Sequence, residues 1–116
     1  MRHRKKGKIL DRKKAPREAM LRQMATSLII YEKIKTTKAK AKAVKPLVEK
    51  MVTIAKAKDL TARRRLLAFL YHAKAVKKAL EVLGPRYQER RGGYTRIINL
   101  GPRKGDGAEM VQIEFV

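Results

Sequence analysis

Between residues 16 and 31 the apolar positions Met20, Leu21, Met24, Ala25, Leu28, Ile29 and Tyr31 leave only Arg22, Gln23, Thr26 and Ser27 as a polar stripe. At 100° per residue the apolar set covers about half of a helix circumference, which predicts a helix over 16–31 covered on several sides. No other segment makes so strong a demand for burial, and the remaining elements read as its cover. Pro16 suits the first turn, where its missing N–H has no intrahelical partner, and Glu18 complements the positive end of the helix dipole. After Tyr31 the period falls to about two through Lys33, Ile34, Lys35, Thr36 and Thr37, which predicts a strand over 32–37. Spacings of three and four return at Ala41, Val44, Leu47, Val48, Met51 and Ala55, a helix over 38–57 with Thr37 as its N-cap. Pro46 removes a backbone donor inside that helix and predicts a kink or a break.

Asp59 or Thr61 starts a third helix, over 60–71, in which Ala62, Leu66, Phe69 and Leu70 share a face. Val76, Ala79, Leu80 and Leu83 form the next stripe, rotated by roughly 80° from the preceding one. A bend between Tyr71 and Ala73 reconciles the two and sets a fourth helix at 73–83. Gly84 and Pro85 stop it. The segment 85–93 reads as a loop, in which Tyr87 either stacks on a base beside Arg86, Arg90 and Arg91 or packs on the domain. Strands are predicted over 94–100 and 109–116, the second alternating Val111, Ile113 and Phe115 with Gln112 and Glu114. The glycine-rich stretch between them is a turn that carries Arg103 and Lys104 outward. The class is α+β, a three-stranded sheet against about four helices, in one domain at 16–116.

Charge changes the picture of the ends and faces. Lys and Arg number 31 against 10 acidic residues, a net +21 in 116 residues. That excess goes well beyond the needs of solubility and calls for a polyanionic partner. Residues 1–15 lack the apolar content of a core and form a basic arm that is mobile until bound, with Asp11 its single acid. Arg63, Arg64 and Arg65 sit in the first turns of the third helix, where cations oppose the dipole, so an external anion is expected there. No apolar run reaches the roughly 20 residues of a membrane span and no signal peptide follows the basic start. A cytoplasmic location is expected. Cysteine is absent, which excludes disulfides and thiolate metal sites.

Candidate chemistry is sparse. His3 and His72 are the only histidines and have no carboxylates at ligand spacing, so no metal and no cofactor is expected. Ser27 lies in no nucleophile-elbow context, and the glycines at 101–107 match no phosphate cradle of an NTPase. An enzyme, a small-molecule substrate and a membrane partner are therefore all unexpected. Aromatic residues make up 5% of the chain, too few for a protein that works mainly by stacking bases. Cations spread over the arm, the helices, the 85–93 loop and the last hairpin fit enclosure by folded RNA on several sides.

The start Met1-Arg2-His3-Arg4, the run Ala19-Met20-Leu21-Arg22, Ile34-Lys35-Thr36-Thr37 before Lys40-Ala41-Lys42, Gly84-Pro85-Arg86-Tyr87 and Gly92-Gly93-Tyr94-Thr95-Arg96-Ile97 are specific in combination and order. With Gly105-Asp106 they span nearly the whole chain, which resembles the bacterial large-subunit ribosomal protein family numbered seventeen. The resemblance implies a small mixed three-stranded sheet in which the first strand pairs against the C-terminal hairpin. It also implies a place in the ribosome, with large-subunit rRNA and neighbouring ribosomal proteins near the peptide exit region as partners. Gln23, the Lys13 to Pro16 turn, Pro46 and Glu109 depart from the family pattern.

The function expected is a structural constituent of the large subunit that holds rRNA segments together by neutralising phosphates. A free nucleic-acid-binding module, an RNA chaperone or nucleoid-type protein, is the alternative. The expected rRNA contacts in the arm are Arg2, His3, Arg4, Lys5, Lys6, Lys8, Arg12, Lys13 and Lys14, followed by Arg17 and Arg22 on the first helix. Beyond it they are Lys35, Lys38, Lys40, Lys42, Arg63, Arg64, Arg86, Arg90, Arg91, Tyr94, Arg96, Arg103 and Lys104. Arg22→Glu is expected to weaken RNA binding with little loss of folding.

Overall fold

A computed structural model describes residues 13–116, so the expected contacts from Arg2 to Arg12 lie outside the described residues. Helix α1 spans Lys14–Tyr31 and takes Pro16 into its first turn, where no donor is missed. Its apolar arc is covered less than expected: Ala25, Leu28 and Ile29 are buried, but Tyr31 is 71% exposed. Glu32, in the left-handed region at φ 65°, closes the helix by donating its N–H to the Leu28 carbonyl at 2.7 Å. Strand β1 follows at Lys33–Thr37, and α2 at Lys38–Ala55. Thr37 takes the N-cap position of α2 without a side-chain hydrogen bond.

The break expected at Pro46 is absent, and α2 runs continuously through it. Pro46 is on the exposed side, where water can satisfy the Lys42 carbonyl that loses its partner. Helix α3 spans Leu60–Leu70, and the Asp59 carboxylate caps it by accepting from the Ala62 N–H at 2.7 Å. Tyr71, at φ 56°, ends α3 and turns the chain into α4 at Ala73–Lys78, so the bend demanded by the rotated apolar stripe is present.

Gly84 and Pro85 do not stop the helix as expected. The chain continues through a π-helical turn at Ala79–Leu83 into the short α5 at Gly84–Arg86. Gly84 has helical angles of φ −54° and ψ −57°, so it does not serve as a left-handed cap. Its role is spacing: a Cβ there would lie 2.9 Å from the Ala55 carbonyl oxygen at the end of α2. Pro85 would press on the carbonyl four residues back in a regular helix, and a widened turn directly ahead of it absorbs that conflict.

Strands β2, Thr95–Pro102, and β3, Glu109–Phe115, complete a sheet of order β1-β3-β2. Both pairings are antiparallel, with Ile34 and Ile97 each opposite Ile113. The sheet is therefore antiparallel throughout and not mixed. Strands β1 and β2 run the same way, but β3 lies between them and prevents a parallel pairing. A bulge between Asn99 and Gly101 bends the end of β2, with Gly101 at φ 96°.

The centre of the core is α2 and not α1. Ala41, Val44, Val48, Met51, Val52 and Ala55 are buried along it. It packs against α1 and α3 among the helices and against all three strands. Val111, Ile113 and Phe115 bury from β3, in the alternation the sequence predicts. Tyr87 is in this core too: its ring lies 5.2 Å from that of Tyr94 and 6.1 Å from that of Phe115. Its hydroxyl donates to the Val116 carbonyl at 2.7 Å, which settles the two readings of Tyr87 in favour of packing.

Candidate nucleic-acid interface

A few carboxylates decide which cations remain available, because Glu32, Asp106, Glu109 and Glu114 hold cations of the fold and Glu49 holds a strand. Glu32, placed by its left-handed backbone at the end of α1, receives hydrogen bonds from the Arg86 guanidinium and an ion pair from Lys78 at 3.0 Å. The Arg86 hydrogen bonds, against the cost of burial and with help from Lys78, hold the Glu32 carboxyl at about 2 in place of 4.5. The same bond raises the Arg86 pKa further above its ordinary value. Lys78 also donates to the Ile30 carbonyl at 2.7 Å. Arg86, expected at RNA, thus joins α5 to the end of α1.

Glu49 has a role that its position on the lysine face of α2 did not reveal. It accepts from the Thr95 hydroxyl at 2.7 Å, the Thr95 N–H at 3.1 Å and the Gly93 N–H at 3.2 Å. One carboxylate so fixes the start of β2 on α2. Lys56, the C-cap of the same helix, donates to the Arg90 carbonyl at 2.6 Å and lies 5.5 Å from the centroid of the Tyr94 ring. Tyr94 itself is 2% exposed, so the expectation that it meets RNA is corrected: its ring offers no face to a base. Burial opposes ionisation of its phenol, but hydrogen bonds with Thr53, the Gly92 backbone and Lys56 together bring its pKa below the ordinary value.

Three further expected contacts are tethered at the surface. Arg96 on β2 pairs with Glu114 of β3 at 2.8 Å, and its hydrogen bond holds the Glu114 carboxyl below the usual range. Arg103 folds back within the hairpin turn onto Asp106, whose carboxyl it holds well below the usual range. The turn therefore carries Lys104 outward, while Arg103 is engaged. Lys38 at the start of α2 pairs with Glu109 at 3.4 Å. All three are exposed ion pairs whose net worth is small, so competing phosphate can redistribute them.

Arg22 departs most from its expected part. Its guanidinium lies 4.8 Å from the centroid of the Tyr71 ring and 5.3 Å from that of Phe69. It donates to the Tyr71 hydroxyl and, at 3.3 Å, to the Ala68 carbonyl. Arg22 thus locks α1 to the end of α3 and is not free of the fold.

Among the described residues, the other expected cations have no carboxylate partner within ion-pair distance: Lys13, Lys14, Arg17, Lys35, Lys40, Lys42, Arg63, Arg64, Arg90, Arg91 and Lys104. The fold does not gather them into one cleft. Lys35 stands on the outer face of the sheet, Lys40 and Lys42 on the first turns of α2, and Arg63 and Arg64 on the exposed side of α3. Arg90 and Arg91 occupy the loop before β2, and Lys104 the tip of the hairpin. Such an array can neutralise phosphates on several RNA segments at once, each contact adding to the salt dependence of binding. Among the described residues no group of acids and histidines is placed to hold a metal ion, and no helix is long and apolar enough to cross a membrane.

Fold and surface together define a small, strongly basic α+β protein in which some acids tie elements together and the cations without a carboxylate partner among the described residues look outward in several directions. The family model for ribosomal protein L17 matches residues 20–116, and the chain belongs to that family. It is 53% identical over 116 residues to the large ribosomal subunit protein bL17 of Solibacter usitatus, covering all of this chain and 77% of that one. The protein of the same description from Caldanaerobacter subterraneus is 49% identical over the full length of both chains. That from Pelobacter propionicus is 51% identical, over all of this chain and 91% of the other.

Proposed function

We infer that this protein is a structural constituent of the large ribosomal subunit, where it binds rRNA and holds segments of it together by neutralising their phosphates. The observation that carries this is the division of charge. Carboxylates at the end of α1, on β3 and in the hairpin turn engage Arg86, Lys78, Arg96 and Arg103, while cations on α1, β1, α2, α3, the loop before β2 and the hairpin tip face outward with no carboxylate partner among the described residues. Family membership supplies the assembly, since the relatives carry the large ribosomal subunit in their names. The role is architectural and places the protein in the cytoplasm with the ribosome. The basic arm extends the RNA contacts beyond the folded domain, and neighbouring large-subunit proteins near the peptide exit region share the site.

Sedimentation of a cell lysate tests this. Stoichiometric presence in the large subunit after a high-salt wash is the expected result, and a predominantly soluble or DNA-associated pool refutes it. In isolation the protein should bind large-subunit rRNA with a steep negative dependence of log affinity on log salt.

A further inference from the structure

A groove of about 770 Å³ crosses the outward side of α1, between β1 and the junction of α3 with α4. Its size falls in the range of small-ligand sites. Met20, Gln23, Ser27, Ile34, Lys35 and Tyr71 line it, and no carboxylate does so among the described residues. Tyr71 is the unusual member, with 72% of its surface open to solvent. Its backbone is held in the left-handed region, at φ 56°, by the N–H bond that closes α3 on the Leu67 carbonyl at 3.1 Å. Its ring is held at the other end by Arg22, which lies against it and donates to its hydroxyl. An aromatic ring so anchored but uncovered loses little further freedom when a planar group stacks on it.

The geometry points to a binding site for a single unstacked nucleotide of rRNA, its base lying on Tyr71 in the groove and its phosphate against Lys35. This rests on the ribosomal reading above and deepens it, from phosphate neutralisation to the capture of one base. Charge complementarity selects RNA as the occupant, since Arg22 and Lys35 are cationic and no acid opposes an anion there. Gln23 and Ser27 supply donors and acceptors for a base edge, and the ring with its guanidinium is the kind of platform on which bases stack. The overall scarcity of aromatic residues fits one such site in a protein that otherwise meets the backbone.

The test uses the full chain and a transcript of the large-subunit rRNA across a range of salt. Tyr71→Phe keeps the stacking face and should bind nearly as the unaltered protein does. Tyr71→Ala should weaken binding roughly tenfold while leaving the salt slope unchanged, because a stacking contact and no phosphate contact is lost. Gln23→Trp, at an exposed position, fills the groove and should weaken binding to a similar degree. Ultraviolet crosslinking of assembled subunits should place an RNA adduct on the segment containing Tyr71. Unchanged affinity in folded Tyr71→Ala, or in Gln23→Trp if Tyr71→Ala does not fold, overturns the proposal, as does a crosslink from Tyr71 to a protein instead of RNA. Failure of the unaltered protein to bind the transcript would instead overturn the ribosomal reading on which the site depends.

Discussion

Replacing Gly84 by alanine sets two effects of known size against each other. Gly84 is helical at φ −54° and ψ −57°, so its backbone admits a side chain without strain, and by propensity alone alanine should stabilise by about 1 kcal/mol. The added Cβ, however, would stand 2.9 Å from the Ala55 carbonyl oxygen and 3.3 Å from both the Ala55 carbonyl carbon and the Ala79 oxygen. All three neighbours are backbone atoms, and Ala55 and Ala79 are fully buried, so neither side can rotate a flexible group away. Forcing a methyl group into a packed core costs about 1 to 3 kcal/mol, and a contact under 3.0 Å against backbone belongs in the upper part of that range, about 2 to 3 kcal/mol, which outweighs the propensity gain. A net loss of about 1 to 2 kcal/mol is expected. With a urea m-value of about 2 kcal/mol per molar, the middle of the usual range, the unfolding midpoint should fall by roughly 0.5 to 1 M at an unchanged slope. An alanine variant as stable as the parent, or more so, would show that the end of α2 yields freely and that the glycine is not required for its approach to α5.

Leu28→Ala removes a fully buried side chain where α1 meets the core and should cost about 2 to 5 kcal/mol, read as a lower denaturation midpoint. Because the folded Glu32 carboxyl titrates at about 2 and the unfolded one at 4.5, its stabilising contribution is complete above about pH 5 and is lost as pH falls through that window. With 36% of that side chain exposed, solvent screening reduces the effect to about 1 kcal/mol; acid titrations of stability should show that loss in the parent and not in Glu32→Gln. Arg22→Glu should lower stability by about 1 to 3 kcal/mol, since it breaks the contacts to Ala68, Phe69 and Tyr71; a melting curve identical to the parent would contradict the locking role. Arg63→Glu with Arg64→Glu, both exposed on α3, should leave the melting temperature nearly unchanged but weaken rRNA binding and flatten its salt slope by about two.

Element types were legible in the sequence because they follow from local periodicity. The three- and four-residue spacing of α2, the alternation of β3, the Asp59 cap and the rotated stripe that required a bend at Tyr71 all lie within a few residues of one another. The class of partner was legible as well, since a net +21 does not depend on how the chain folds. The resemblance named the family, and within the fold it anticipated that the first strand would pair with the C-terminal hairpin.

Tertiary structure decided which of two similar apolar stripes became the centre. By pattern α1 demanded more cover than α2, yet α2 takes the middle because the sheet and the other helices converge on it from different sides. It also decided which charges remain outside. Arg86 meets Glu32 across 54 residues and Thr95 meets Glu49 across 46, pairings that no local pattern records. Gly84 illustrates the same limit: beside Pro85 it reads as a helix stop, but in the fold it leaves room for the end of α2. A period along the chain shows which face of a segment is apolar. What covers that face, and which cation finds a carboxylate, are set by residues far away in sequence.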